Sequence, residues 1–483
     1  MKLPKEIKDI LGKLEKGGFE AYAVGGCVRD ILLGKKPKDW DITTKAKPEE
    51  IQGIFPDSFY ANKFGTVTVK TESEERALKE VEITTFRTEQ RYTDKRHPDK
   101  VSFTIRVEKD LSRRDFTINA LALNKKGELI DLFGGQEDIK KRLIKAVRKA
   151  DNRFGEDALR MLRAIRFTAE LGSPAGKWQI ETQTLEAIKK NAAWLQAIAK
   201  ERIRDELIKM IMADEPEEAI ELLRETGLLK YIIPELEKGI GVAQNRHHIY
   251  SIYRHCVLAL KFGAKRKYGL EVRLAALLHD IAKPQTKRGQ GEYSTFYNHD
   301  IVGARFAANI LQRLRFPKKT IEKVAHLVRN HMFVYGVDEV SETGVRRLLR
   351  RVGRENMGDL LKLRITDRLG SGCPKAVPYK LRHLEYLIEK VSKDPISVKM
   401  LKINGDDLMK ILETKPGPKL GLILNALLSE ALENPKINTK KKLSEIAKEL
   451  NKLSDKELKT RDKKIKEKKE EVDSEMKGKY WVK

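Results

Sequence analysis

The spacing of hydrophobic and polar positions changes character once along this chain. Up to about residue 145, short β-prone runs at 65–70, 81–86, 101–105 and 120–123 are interleaved with helical stretches. That mixture predicts an α/β region. From about residue 146 the apolar positions recur almost wholly at helical spacing, as in 157–167, 219–229, 272–281 and 302–314. Gly and Pro punctuate this stretch at 172–174, 239–241, 370–374 and 416–418, and these breaks suggest segment boundaries. The expected organisation is an α/β domain over 1–145 and all-α segments over 146–240, 241–372 and 373–453. A Lys/Glu-dense extension over 454–483 follows, to which no chemistry is assigned.

Charge sharpens this picture. Lys and Arg total 98 against 71 Asp and Glu in 483 residues, a formal net charge of +27. Such an excess points to a polyanionic partner, nucleic acid first. The three cysteines, Cys27, Cys256 and Cys373, lack metal-ligand spacing and cannot build a disulfide framework. A reducing cytoplasm is therefore expected. No apolar run approaches membrane-spanning length, and the N-terminus lacks a signal peptide's apolar core, so no membrane association is expected.

The densest candidate chemistry lies at 24–41. A β-prone run leads into Gly25-Gly26 and a helical stretch, where bare backbone N–H groups can meet a phosphate. Asp39-Trp40-Asp41 follows, and in an extended run residues two apart share a face. Two carboxylates side by side suit a hard divalent cation such as Mg²⁺, which is commonly held by one or two carboxylates plus substrate phosphates. A phosphate cradle beside a metal pair suggests nucleotidyl transfer.

This segment resembles the signature of the class II branch of the polymerase β-like nucleotidyltransferases, which contains CCA-adding tRNA nucleotidyltransferases and bacterial poly(A) polymerases. The resemblance implies a head with a small mixed sheet plus helices over 1–145. An all-α neck (146–240), a body of HD type (241–372) and a tail (373–453) would follow. It implies catalytic Asp39 and Asp41, with Glu82 in Val81-Glu82-Ile83 as third carboxylate, sharing a strand face with Thr84 and Phe86. Residues 87–98 look like the flexible loop of members that add A. Leu111-Ser112-Arg113-Arg114-Asp115-Phe116-Thr117-Ile118-Asn119 resembles a second family motif. Arg29 and Arg114 would then fork onto the nucleotide, as arginine does more specifically than lysine, and Asp115 and Asn119 would hold the ribose hydroxyls or brace Arg114. Asp131-Leu132-Phe133-Gly134-Gly135 resembles the head-to-neck hinge.

In the helical pattern 156–167, Asp157, Arg160, Arg163 and Arg166 recur every third residue and form one drifting stripe. Cytosine and adenine both carry an amino donor beside a ring-nitrogen acceptor. Asp157 can accept from the first and Arg160 can donate to the second. Uracil and guanine present the reverse pattern, and each unpaired buried polar group costs about 1–3 kcal/mol. In the resembled family the first two positions replace a template, and the later arginines contact nucleotide or phosphate. Lys200 to Leu207 resembles the neck element supporting this helix, and motifs near 401–408 and 415–424 resemble the family's tail. The likeness spans about 20–445.

A separate signal is His279-Asp280. With His255 upstream and Asp367 downstream it resembles the four-ligand pattern of the HD phosphohydrolases, which suits a divalent transition metal and activation of water. His299 and His331 are candidate extra ligands for a second ion. The expected function is template-independent addition of CCA to the tRNA acceptor end from CTP and ATP, with HD phosphohydrolase activity as an addition. The alternatives are an A-adding or CC-adding partial enzyme, a poly(A) polymerase, or a metal phosphohydrolase with a nucleotide-binding head.

Overall fold

The computed structural model describes residues 2–482 except 63–64, 91–99, 173–175, 246–248, 338, 374–376, 394–400, 435–436, 455, 459, 461–473 and 476. The expected flexible loop therefore lies mostly outside the described residues. Its first residues, Arg87–Gln90, form a strand rather than loop.

Among the described residues, nine strands lie between positions 21 and 131: β1 (Ala21–Val24), β2 (Asp41–Thr44), β3 (Ser58–Asn62), β4 (Thr66–Lys70), β5 (Glu80–Thr85), β6 (Arg87–Gln90), β7 (Lys100–Phe103), β8 (Leu121–Leu123) and β9 (Leu129–Asp131). Seven make one sheet in the order β3-β4-β5-β2-β1-β8-β9, and β6 and β7 form a separate antiparallel ribbon. Only β2 and β5 run parallel, which makes the sheet mixed. Alternation is clear along β5, where Val81, Ile83 and Thr85 are buried and Glu80 and Glu82 face solvent. Phe86 falls just past this strand and is buried, so it does not share the exposed face of Glu82.

Two close approaches pin the sheet to its surroundings. Asp131 caps the helix Gly135–Lys141, its carboxylate accepting from the backbone N–H of Gly135 (2.8 Å) and Gln136 (2.8 Å). A Cβ on Gly135 would lie 2.2 Å from the carbonyl oxygen of Thr117, so only glycine lets the hinge pack on the second motif.

Among the described residues after the head, helices are joined by one short strand, Gln179–Ile180, which pairs in parallel with Leu143–Ile144 at the head's end. Two compact units result: Met1–His331 with Lys362–Cys373, and Met332–Leu361 with Pro374–Lys483. The first contains residues 1–240 and most of 241–372. The second has its own core, in which Ile403, Leu408, Ile423, Leu427, Leu443 and Leu450 are almost wholly buried. Among the described residues no helix is long and apolar enough to cross a membrane.

Candidate functional site

The glycine pair stands where the sequence predicts, between β1 and the helix Gly26–Leu32. Gly25 has φ 78°, and a Cβ there would sit 2.8 Å from Nη1 of Arg114. The position requires glycine for backbone conformation and for space. Asp41 opens β2 and is half-buried, whereas Asp39 lies in the bend before it and is exposed. The shared strand face expected for the two acids is thus replaced by a bend followed by a strand end, with Trp40 buried between them. Glu82 is the direct partner of Asp41 across the parallel β2–β5 pair, so the two carboxylates leave the sheet on the same side.

Burial pushes the Asp41 carboxyl up to about 6, opposed by the Arg114 guanidinium and assisted by the like charges of Asp39 and Glu82. A hard cation would relieve this crowding of carboxylates, and three oxygen donors suit one. Asp39, Asp41 and Glu82 do not draw their oxygens within 4.8 Å of one another, so a cation there would draw the rest of its shell from water and substrate oxygens.

Residues 113–115 join this corner to the helix Leu159–Leu171 and the turn before it. The Arg113 carbonyl accepts from Nη2 of Arg160 (2.9 Å), Arg114 lies against Gly25, and Asp115 accepts from Nε of Arg163 (2.7 Å). The other Asp115 oxygen accepts from Nδ2 of Asn119 (3.1 Å), and the Asn119 carbonyl accepts from Nη1 of Arg29 (2.8 Å). Burial alone would raise the Asp115 carboxyl, but Arg163, Asn119 and Arg160 outweigh it and hold the group well below the usual carboxylate range. Asp115 and Asn119 thus brace Arg163 and Arg29. Arg114 leans instead on Asp110 (3.7 Å), a fully buried acid one helical turn upstream that also pairs with Arg113 (2.9 Å). Asp110 escaped notice in the sequence, although its i,i+3 and i,i+4 spacing to the two arginines carried the signal.

The helix begins at Leu159, and Asp157 precedes it in an extended conformation, its Oδ1 accepting from the Leu159 N–H (3.1 Å). The continuous stripe expected from Asp157 onward is broken because a short acidic side chain competes for the first free amides of a helix. Asp157 also takes a forked pair of hydrogen bonds from Arg202 (3.2 and 2.7 Å). Arg202 lies 45 residues away, and no local pattern marks it. Arg160 is held by Glu156 (2.6 Å) and by the carbonyls of Arg153 (3.1 Å) and Arg113.

At 3.6 residues per turn, each third residue rotates by roughly 60° around the axis. Arg160 and Arg163 accordingly face the head, whereas Arg166 swings against the neighbouring helix Lys200–Met212 and pairs with buried Glu206 (3.2 Å). Arg166 is only 6% exposed, which leaves little of it for a nucleotide.

The second constellation is buried throughout; His255, His299 and Asp367 stand on helices, His279 and Asp280 in the turn after helix Leu270–Leu278, and His331 just past helix Lys318–Asn330. The metal-competent atoms of His255, His279 and Asp367 lie within 4.8 Å of one another, as do those of Asp280, His299 and His331. Asp280 links the groups. Its Oδ2 is 3.2 and 3.3 Å from Nε2 of His255 and His279, and its Oδ1 is 3.5 and 3.6 Å from Nε2 of His299 and His331. The Nε2 atoms approach one another to 2.9 Å in the first group and 3.3 Å in the second.

Three of these rings are oriented by the backbone. Nδ1 of His279, His299 and His331 contacts the carbonyl oxygen three residues earlier, at 2.9, 2.6 and 2.6 Å. A carbonyl only accepts, so each Nδ1 carries the proton and each Nε2 is turned inward. Facing nitrogens at these distances need a proton or a cation between them. Burial disfavours a charge on His279, yet Asp280 and Asp367 push it up to about 10, whereas burial, His331 and Lys283 lower His299 against the pull of Asp280. Lys283 closes one side, its Nζ 2.6 Å from Asp280 Oδ2 and 2.8 Å from the Gln244 amide oxygen.

The chain is similar to known nucleotidyltransferases over most of its length. The family described as "Poly A polymerase head domain" matches residues 21–145, and "Probable RNA and SrmB- binding site of polymerase A" matches 178–240. A CCA-adding enzyme of Ligilactobacillus salivarius is 35% identical over 454 residues, covering 93% of this chain and 98% of the relative. That of Geobacillus thermodenitrificans is 46% identical over 241 residues, covering 50% of this chain and 57% of the relative. The crystal structure of the Bacillus stearothermophilus CCA-adding enzyme in complex with CTP superposes over 94% of this chain and 98% of that one, with a TM-score of 0.60 at 29% identity. A Thermotoga maritima CCA-adding enzyme complexed with tRNA shares the fold at 21% identity, with a TM-score of 0.52. On this similarity and its coverage, the chain belongs to the CCA-adding enzyme family.

Proposed function

We propose that the chain adds C, C and A in turn to the 3′ end of tRNA, without a nucleic-acid template, from CTP and ATP. The tRNA 3′-hydroxyl attacks the α-phosphorus, the α–β anhydride bond breaks, and pyrophosphate leaves. The observation that carries this reading is the run Arg113-Arg114-Asp115, which ties the acidic corner to the base-reading helix through consecutive residues.

In this reading Gly25 and Gly26 admit the triphosphate to bare backbone, and Arg29 and Arg114 hold it. Asp39 and Asp41 hold Mg²⁺, which supplies charge neutralisation of the triphosphate and activation of the hydroxyl. Glu82, exposed beside Asp41, is placed to take the hydroxyl proton. Asp157 and Arg160 read the base edge with the hydrogen-bonding capacity left after Arg202 and Glu156 have oriented them. Arg163 completes the wall, and Arg166 is a strut to Glu206. The unpaired state of Cys27, Cys256 and Cys373 suits work in a reducing cytoplasm.

Single-nucleotide analysis of tRNA transcripts tests this reading. CTP alone should extend a transcript lacking CCA by two residues, ATP alone should extend one ending in CC by one, and both together should add three. Only A, only CC, or an unbounded A tract would replace the reading by an A-adding enzyme, a CC-adding enzyme or a poly(A) polymerase.

A second activity is favoured by the two buried groups that share Asp280. His255, His279, Asp280 and Asp367 offer one metal position, and Asp280, His299 and His331 offer another. Mixed imidazole and carboxylate donors suit Mn²⁺, Fe²⁺, Ni²⁺ or Zn²⁺, and such ions supply Lewis acidity for hydrolysis of phosphate esters. Metal analysis of the purified protein, with assays on simple phosphate esters, tests this independently of nucleotide addition.

A further inference from the structure

Asp110, on the helix Val107–Ser112, is a fully buried acid at the meeting point of three segments of the head. Nε and Nη2 of Arg113 both stand 2.9 Å from its Oδ1, which also accepts from the Arg87 N–H (3.4 Å) at the start of β6. Its Oδ2 accepts from the Thr43 hydroxyl on β2 (3.3 Å) and faces Nη2 of Arg114 (3.7 Å). A charge taken out of water persists only where partners replace the lost hydration. Burial works against the ionised carboxyl, but Arg113 and Arg114 hold it below its ordinary value.

The two arginines serve differently. The Arg113 side chain forks onto Asp110, and its carbonyl accepts from Nη2 of Arg160 (2.9 Å). Arg114 stands against Gly25, where a Cβ would come within 2.8 Å of its Nη1. Asp110 is its one ion-pair partner among the described residues, and its Nε is buried without a hydrogen bond. A guanidinium held by a single contact keeps most of its N–H donors for a substrate, and that contact fixes where they point. From one carboxylate the connections therefore run through the Arg113 carbonyl to Arg160 and through Arg114 to the glycine turn.

We propose that Asp110 is a positioning residue for nucleotide addition: it sets Arg114 against the glycine turn and, through Arg113, sets Arg160 toward the base, so that one buried carboxylate fixes both ends of the nucleotide. Asp110 itself touches no substrate. This role rests on nucleotide addition as proposed above.

C addition by the full-length protein tests it, with KM for CTP and kcat measured separately and CTP competed against UTP. Asp110→Asn keeps the shape and removes the charge. It should raise KM for CTP about tenfold and lower discrimination against UTP about fivefold, the scale of one misplaced hydrogen bond each, with KM for tRNA unchanged. Arg114→Ala removes the partner on the phosphate side. Adding Asp110→Asn to it should change KM for CTP by less than about twofold, because the group that Asp110 positions is gone, while the loss of selectivity persists. Thr43→Val leaves every charge in place and takes away one donor to Oδ2, so it should raise KM for CTP about threefold. It reports on the role even where Asp110→Asn does not fold. A lower kcat at unchanged KM and selectivity in Asp110→Asn, as loss of folded protein would give, overturns the proposal. So do full additivity with Arg114→Ala and an unchanged KM in Thr43→Val. Should the unmodified protein not extend tRNA, the underlying reading fails instead, and equilibrium binding of CTP to the same variants still reports on Asp110.

Discussion

The acidic corner of the head and the His–Asp cluster of the body are both built from carboxylates, yet they treat water in opposite ways. Asp39 and Glu82 are exposed, Asp41 is half-buried, and their oxygens stay apart. In the proposed function a triphosphate and a cation would complete that corner. In the cluster, His255 and His279 are fully buried, Asp280 is 1% exposed, and six side chains converge on two positions. The corner leaves Asp39 and Glu82 open to solvent, whereas the cluster brings its metal-competent atoms together away from it.

Exchanging a single acid in each region should separate them most sharply. Asp41→Ala is expected to lower nucleotide addition by at least about 10³-fold, on the scale of removing a main electrostatic element of an active site. The metal content of the histidine cluster should stay intact. Asp280→Asn should remove metal from the cluster, seen by elemental analysis, while C and A addition stay within about twofold of the unmodified protein. Loss of both properties in either variant would mean that the regions are not independent.

A smaller effect is expected where the base-reading pair is held. Arg202→Ala frees Asp157 from its forked partner while leaving the substrate-facing residues in place. Discrimination of CTP over UTP should fall about 10–100-fold, the scale of one or two misplaced hydrogen bonds. Arg202→Lys should recover part of it, and competition assays with both nucleotides read the ratio. Unchanged selectivity would leave the Asp157–Arg202 pair a purely structural contact.

The smallest effect concerns pH. The folded Asp41 carboxyl titrates near 6, above its ordinary 3.8. The folded state therefore holds a proton between about 4 and 6 that the unfolded chain has released. Stability from this group is fully present below about 4 and is lost as pH rises through 6, by at most roughly 3 kcal/mol. In the proposed function a divalent cation would replace that proton above pH 6. Mg²⁺ should accordingly raise the thermal midpoint at pH 7.5 but not at pH 4.5, and the difference should shrink in Asp41→Asn. Calorimetry at the two pH values checks this.

Much of this contrast was legible before any coordinates. The Gly25-Gly26 turn, the Asp-x-Asp element, the strand bearing Glu82 and the helix bearing Arg160 and Arg163 all follow from local spacing, because glycine conformation and the strand and helix periods act over a few residues. The boundary at Asp157 was misread for an equally local reason: a carboxylate capable of bonding the Leu159 amide ends the helical pattern that the apolar positions suggest. The ribose-binding or Arg114-bracing role expected for Asp115 and Asn119 was displaced by partners the linear pattern does not reveal. Asp115 is spent on Arg163, 48 residues away.

The chain's sequence by itself settled the order of the elements, the change from mixed to helical architecture, and which side chains carry charge. Tertiary structure alone decided that Glu82 stands opposite Asp41, that Arg202 reaches Asp157, and that both oxygens of Asp280 look onto imidazoles arriving from separate segments. The physical reason is range. Backbone preference and amphipathic period are short-range properties written residue by residue, whereas a pairing between distant residues exists only once packed cores have fixed the helices and strands that carry them.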